Sequence, residues 1–136
     1  MSKLNKRKTM NKEDIEKFEK THAQLLGFYE ETVILVKKNP NDPMSKFKLQ
    51  LINKVLATAN EIVADIKPFD DFDQFDIDGD MPFNSDVALI LGQYIKCMEL
   101  IKKDNTHMDF GKWYWDEDGD KKKDTIRTSA PVMLNK

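Results

Sequence analysis

The strongest constraint on the fold is a seam running through residues 15–36. Ile15, Phe18, His22, Leu25, Tyr29, Thr32 and Val36 follow one another at alternating spacings of three and four. On an α-helix this spacing puts them all on one stripe, and Leu26 and Val33 widen the stripe to the breadth a globular core needs. As a strand the same residues would scatter over both faces of a sheet. Asn11, with Asp14 three positions on, reads as a capping box, and carboxylates in the first turn suit the helix dipole. Lys37 and Lys38 suit the opposite end, and Pro40 drives Asn39 out of helical geometry. A helix is therefore predicted over about 11–38.

Two further segments carry matching stripes. Asp42-Pro43 reads as an N-cap followed by proline in the first helical position. Phe47, Leu51, Ile52, Val55, Leu56, Ala59, Ile62, Val63 and Ile66 then give a broad apolar face that Pro68 ends, predicting a helix over about 43–66. Asn84-Ser85-Asp86 caps a third, over about 85–103, with Val87, Ile90, Leu91, Tyr94, Met98 and Ile101 inward. The short link between the first two implies an antiparallel pair. The fold class is thus mainly α: a three-helix bundle, completed by a small C-terminal β-hairpin over about 112–128. Lys112-Trp113-Tyr114-Trp115 and Thr125-Ile126-Arg127-Thr128 are its strands, with Asp116-Glu117-Asp118-Gly119-Asp120 as turn chemistry. A hairpin alone is marginal in water, so this one is expected to pack its aromatics on the helices.

At 136 residues the chain reads as one domain over 11–128, between a basic leader (1–10) and a loose tail (129–136). The longest apolar run, Val87 to Leu91, is far too short to span a membrane. The leader lacks the apolar stretch of a secretion signal, and Cys97 is the single cysteine, so a reducing, cytoplasmic setting is expected. A formal net charge of −2 gives no global attraction to nucleic acid or anionic membrane. Lys3, Lys6, Arg7 and Lys8 alone would support only weak, salt-sensitive phosphate contact, so direct nucleic-acid binding is not expected.

The charge is nevertheless uneven. Residues 65–86 hold eight aspartates against Lys67 alone, a local charge of −7. Most of them fall in the connector 67–83, where Phe69, Phe72, Phe75 and Phe83 interleave with the acids. Disordered connectors are poor in aromatics, so some of these rings are expected to hold the connector on the bundle. Asp70, Asp71, Asp73, Asp76, Asp78 and Asp80 would then sit at fixed positions, and fixed charges lose less entropy on binding than mobile ones. Such a strip would steer a basic surface toward itself and could imitate a phosphate backbone. The expected function is accordingly a non-catalytic interaction or inhibitor-type module, a bacterial or phage regulator, immunity or anti-defence protein by analogy of size and charge. Its partner would be a protein with a basic surface, for example a nucleic-acid-processing enzyme. Phe69, Phe72 and Phe75 are the expected anchors. Trp113 and Trp115 offer a second contact, or else close the core.

Two alternatives come from the same residues. The segment Asp76-Ile77-Asp78-Gly79-Asp80 has calcium-loop chemistry, and Asp73, Asp76, Asp78 and Asp80 could form an irregular oxygen cage. On the EF-hand schedule, however, Gln74 takes the first ligand position and Ser85 the last, and both are wrong. The copy around Gly119 fails likewise, with Tyr114 first and Thr125 last. No cofactor is therefore expected, with calcium the alternative. A small metal-dependent hydrolase would need more. His107 near Asp104 and Asp109 is a conceivable ligand set, but a histidine at a helix end is the plainer reading. His22 lies on the first seam, and Cys97 lacks the basic setting that activates a thiol. No catalytic residue is assigned.

Overall fold

The computed structural model describes residues 9–132. Three helices carry most of the chain: α1 (Lys12–Lys38), α2 (Lys46–Val63) and α3 (Asn84–Asp104). A 3₁₀ turn, Ala64–Ile66, extends α2, and three short strands follow α3: β1 (Thr106–Asp109), β2 (Lys112–Trp115) and β3 (Arg127–Thr128). The architecture is the expected three-helix bundle with a small C-terminal sheet, and the sheet has one more strand than a hairpin.

The caps explain the helix limits. Asn11 and Asp14 bond reciprocally: the Asn11 N–H donates to the Asp14 carboxylate at 3.0 Å, and the Asp14 N–H donates to Asn11 Oδ1 at 2.8 Å. The capping box is thus present as read. The second helix begins later than Asp42-Pro43 suggested. Its N-cap is Ser45, whose hydroxyl accepts from the Lys48 N–H at 3.2 Å. Residues 40–44 are instead taken up in backbone bonds to 82–85, so Pro43 lies in an extended bridge opposite Phe83. At the far end Ala64 adopts φ +46°, a left-handed conformation costly for any residue with a Cβ, and its N–H returns to the Asn60 carbonyl.

The chain divides into two compact units. One spans residues 19–98. Its core is built from Leu25, Leu49, Ile52, Leu56, Ala59, Val63, Val87, Leu91, Tyr94 and Met98. On α2 the positions 49, 52, 55–56, 59 and 63 complete a stripe at helical spacing without Phe47 and Leu51. Those two belong to the flank of the helix and are exposed, Phe47 at 69%. The sequence reading made the buried face too wide.

The other unit comprises the described residues 9–18 and 99–132. Its sheet is antiparallel in the order β1-β2-β3. The expected antiparallel pairing of 112–115 with the 125–128 segment is present as β2–β3, and the acidic repeat does make a turn, the Gly119 N–H donating to the Asp116 carbonyl at 2.9 Å. A second tight turn, not expected, is the two-residue link Phe110-Gly111 between β1 and β2, with φ +51° and +76°, the backbone of a twisted hairpin turn. Segment 106–109 pairs with 112–115, and 116–126 is a long return to β3. Trp115 is fully buried edge-on to Phe18, with ring centroids 5.0 Å apart. This is the aromatic packing a small sheet requires. Met10 is buried and bridges Glu117. Lys102 donates to the Ser129 hydroxyl, and the Val132 N–H to Glu99, so the chain is held as far as 132. Apart from Thr9 and Met10, the basic leader lies outside the described residues, as does the tail from 133.

Candidate functional site

The acidic connector is fastened to the helices by polar side chains as much as by rings. Asn53, halfway along α2, treats the Phe75 backbone as a partner strand. Its Nδ2 donates to the Phe75 carbonyl at 2.9 Å, and its Oδ1 accepts from the Phe75 N–H at 2.9 Å. Two turns on, Asn60 Nδ2 donates to the Asp73 carbonyl at 2.9 Å, and its Oδ1 accepts from the Tyr94 hydroxyl. Tyr94 is fully buried, and its phenol is pushed up to about 12, first by burial and then by the nearby Asp73 charge. It therefore stays a neutral donor at any ordinary pH.

The rings add to this. Phe75 is buried at 7%, and Phe72 packs edge-on to it and to Tyr94, at 5.1 and 6.4 Å between centroids. Phe69, expected as a third anchor, is exposed at 40%. Its backbone carbonyl instead closes a turn by accepting from the Phe72 N–H. The distal end is fixed by a second set of bonds: the Met44 N–H to the Pro82 carbonyl and the Asn84 N–H to the Asp42 carbonyl, both at 2.9 Å. The connector is tied at 72–75 and again at 82–85.

Between and around these ties Asp70, Asp71, Asp73, Asp76, Asp78 and Asp80 are all exposed. Lys67 meets Asp73 in an ion pair at 2.5 Å. Asp76 accepts from the Asp78 N–H at 2.9 Å, a local turn that orients its carboxylate. Among the described residues no three His, Cys, Asp or Glu side chains are grouped so as to hold a metal ion.

A second polar cluster, which the sequence reading did not assemble, lies on the small sheet. His107 is hydrogen-bonded at both ring nitrogens, Nδ1 to Asp116 at 2.6 Å and Nε2 to Asp124 at 2.7 Å. The other Asp116 oxygen accepts from Lys121 at 2.6 Å, and Asp116 itself is buried. Hydrogen bonding to Asp116, then to Asp124, raises the His107 pKa above its ordinary value. Asp109 shares a hydrogen bond with Asp124, which pushes the Asp109 carboxyl up and the Asp124 carboxyl down. Across the strands His107 stacks on Tyr114, and Arg127 lies 5.8 Å from the centre of the same ring. Asp104, once grouped with His107, is not among its hydrogen-bond partners.

When protonated, a form its two carboxylate partners favour, His107 donates from both nitrogens and acts as a cationic staple. Its lone pair is unavailable for general base work while both contacts stand. The partners are far from it in sequence: the β1–β2 pairing sets Asp116, next to Trp115, beside the start of β1, and Asp124 comes from the return segment that leads to β3.

The remaining site residues fall as follows. Trp113 is half-buried and pairs across the strand with Met108. Trp115 is core, so of the two tryptophans suggested as a second contact only Trp113 keeps exposed surface. Cys97 is half-buried and donates to the Ile66 carbonyl, and burial pushes its thiol pKa up, the reverse of an activated cysteine. His22 is buried within the bundle unit. No helix among the described residues is long and apolar enough to cross a membrane.

Comparison with known proteins finds no matching family model, no matching curated protein and no matching solved structure.

Asn53 and Asn60 carried a signal that sequence reading passed over. Asparagine is a poor helix former because its amide competes for backbone partners. Two of them seven residues apart mark one helix face whose amides are wanted elsewhere.

Proposed function

We propose that this protein is a non-catalytic binding module whose acidic connector docks a basic protein surface. The observation that carries the reading is the double fastening of residues 73 and 75 by Asn60 and Asn53, next to six exposed aspartates. A strip held this way keeps its charges in a pattern, so a complementary array of Lys and Arg meets them without first ordering the strip. The exposed carboxylates pull a cationic partner in from a distance, and salt weakens the pull. Aspartate keeps each charge close to the backbone, as a regular imitation of phosphates requires. An inhibitor or regulator of a nucleic-acid-processing enzyme fits this chemistry, in the reducing setting of a cytoplasm where Cys97 stays a thiol.

The test replaces Asp73, Asp76, Asp78 and Asp80 together by Asn. These side chains are exposed, so the fold is expected to survive, as circular dichroism will check. Wild-type protein on a resin is expected to retain basic proteins from a cell extract at low salt and to release them when duplex DNA is added in excess. The variant is expected to lose them. An identical set of retained proteins from both would end the docking reading. Retention that DNA does not disturb would remove the nucleic-acid-mimic part alone.

A further inference from the structure

The return from β2 to β3 is fastened unevenly. Its first half is held by backbone bonds: the Asp116 N–H donates to the Asn105 carbonyl at 2.7 Å, and the Asp118 N–H to the Met10 carbonyl at 2.8 Å. From Asp120 on, the bonds turn back into the return itself. The Lys123 N–H goes to the Asp120 carbonyl, the Lys121 ammonium to Asp116 and the Lys123 ammonium to Glu117. This second half is tied to β1 through Asp124, which takes His107 Nε2 at 2.7 Å and shares a hydrogen bond with Asp109. His107 thus joins two carboxylates in unlike surroundings. The Asp116 side chain is 3% exposed and has Lys121 on its other oxygen, whereas that of Asp124 is 33% exposed. The groups around the ring come from four segments. The return supplies Asp116 and Asp124, with Lys121 beyond Asp116, and β1 supplies Asp109 beyond Asp124. Tyr114 of β2 stacks on the ring, and Arg127 of β3 lies over Tyr114.

We infer that His107 is a one-sided latch: protonated, it clasps residues 120–125 to the sheet, and on losing its proton it lets go of Asp124 while keeping Asp116. Burial decides the side. A neutral imidazole has a single N–H. Withdrawn from Asp116, it would leave a buried carboxylate short of a donor where water cannot replace it. Withdrawn from Asp124, it leaves a carboxylate that water already reaches. The proton therefore stays on Nδ1, and the Nε2 lone pair is turned toward Asp124. Asp109 adds to the push, a second carboxylate beside Asp124 with the cation gone. The sign is fixed by the same contacts. Both carboxylates favour the charged ring, so the clasp holds below an ordinary histidine pKa and opens as pH rises through the raised one. The segment released carries Lys121, Lys122 and Lys123, so pH governs how three adjacent positive charges are presented.

The test is NMR on the full chain at about pH 6 and about pH 9, below and above the range in which a histidine of raised pKa gives up its proton. Imidazole nitrogen shifts report the charge and tautomer of His107, and amide relaxation reports the order of the return. At the lower pH both nitrogens are expected to be protonated, with order parameters over residues 120–125 near the rigid value of about 0.85. At the higher pH the proton is expected on Nδ1 alone, with those order parameters below about 0.6 and the β1 and β2 amides unchanged. Asp124→Asn separates a latch from a loop that merely loosens. Its amide accepts from the charged ring and, turned over, donates to the neutral one. The variant is therefore expected to stay ordered at both pH values. Four results overturn the inference: a ring still charged at the higher pH, a neutral ring with its proton on Nε2, a return equally ordered at both pH values, or loosening that spreads to β1 and β2. Loosening of Asp124→Asn at the higher pH to the wild-type extent overturns it too. The tautomer is read on the wild type, so the inference stays open to refutation even if the variant folds poorly.

Discussion

Asn53 binds both the N–H and the carbonyl of Phe75, each at 2.9 Å, across 22 residues of sequence. One side chain thereby does for the connector what a neighbouring strand does for a sheet edge. Asn53→Ala leaves both backbone groups of a largely buried residue without their partner. The expected cost is about 1–3 kcal/mol, the desolvation penalty of an unpaired buried polar group. Denaturant unfolding measures it. Amide relaxation over residues 72–76 should show the ordered backbone becoming mobile on the nanosecond scale. A variant as stable and as rigid as wild type would mean that the rings alone hold the strip.

The His107 staple makes stability depend on pH, with a definite sign. Its pKa is raised in the folded protein, chiefly by the hydrogen bond to Asp116. A histidine with a raised folded pKa contributes stability that is fully present below its unfolded value, about 6.5. That contribution is lost as pH rises through the folded value. Once neutral, the ring keeps one N–H, and the nitrogen facing Asp124 or Asp116 turns a lone pair toward a carboxylate. Asp124 works in the opposite direction: its pKa is lowered by Asp109 and then His107, so its contribution is present above the ordinary carboxylate range and lost as pH falls through its low value. Asp109 is pushed up, so as pH falls it takes its proton before Asp124 does and can donate it in their shared hydrogen bond. Melting temperature is therefore expected to decline on the alkaline side, from near pH 6.5 upward. In His107→Gln that decline should be flatter than in wild type. A wild type and a variant with parallel profiles would show that the contacts do not depend on protonation.

Much of the bundle was legible because helical periodicity is local. The stripe from Ile15 to Val36 and the stripe from Val87 to Ile101 each fix a helix and its inward face, and Asn11 with Asp14 fixes a start. The connector was legible as acidic and aromatic, and Phe72 and Phe75 do pack inward. Phe69 does not, because alternating composition says nothing of which ring a given turn directs to the core. Strand β1 was hidden. Thr106 to Asp109 is four residues directly after a helix, too short for a period to register, and its turn uses Phe110-Gly111 where Asn-Gly is the usual signal. With β1 unseen, the meeting of His107 with Asp116 and Asp124 could not be read either, since it depends on the β1–β2 register and on the course of the return before β3.

The two DGD copies invite a direct comparison of glycines. At Gly119 φ is +81°, and a Cβ there would lie 2.8 Å from Thr9 Cγ2, closer than atoms can approach. At Gly79 a Cβ would meet only Asp76 Oδ2, at 3.4 Å. Gly119→Ala is expected to cost about 2–3 kcal/mol through backbone strain and the clash together, and Gly79→Ala within about 0.5 kcal/mol of nothing. Adding Thr9→Ala to Gly119→Ala should recover the part due to the clash and leave the part due to φ. Urea midpoints of the four proteins check this. Equal losses at both glycines would contradict the distinct roles assigned to the two copies.

Strain at non-glycine residues predicts gains in stability. Ala64 at the end of α2 has φ +46°, and Phe110 at the hairpin turn has φ +51° with its ring 95% exposed. Each holds a left-handed backbone that costs roughly 1 kcal/mol or more for a residue with a Cβ. Glycine adopts it freely, and asparagine more readily than phenylalanine. Ala64→Gly loses some unfolded-state restriction but relieves a conformation outside the usual left-handed well, so a net gain of about 0.5–1 kcal/mol is expected. Phe110→Asn should gain a similar amount, because the exposed ring contributes little packing for the substitution to remove. The two sites belong to different compact units of the chain, so the double variant is expected to show the sum of the single effects. Thermal and urea unfolding of the three variants decide it. Loss of stability in Phe110→Asn would show that the ring, despite its exposure, supports the hairpin through contacts that outweigh its backbone strain.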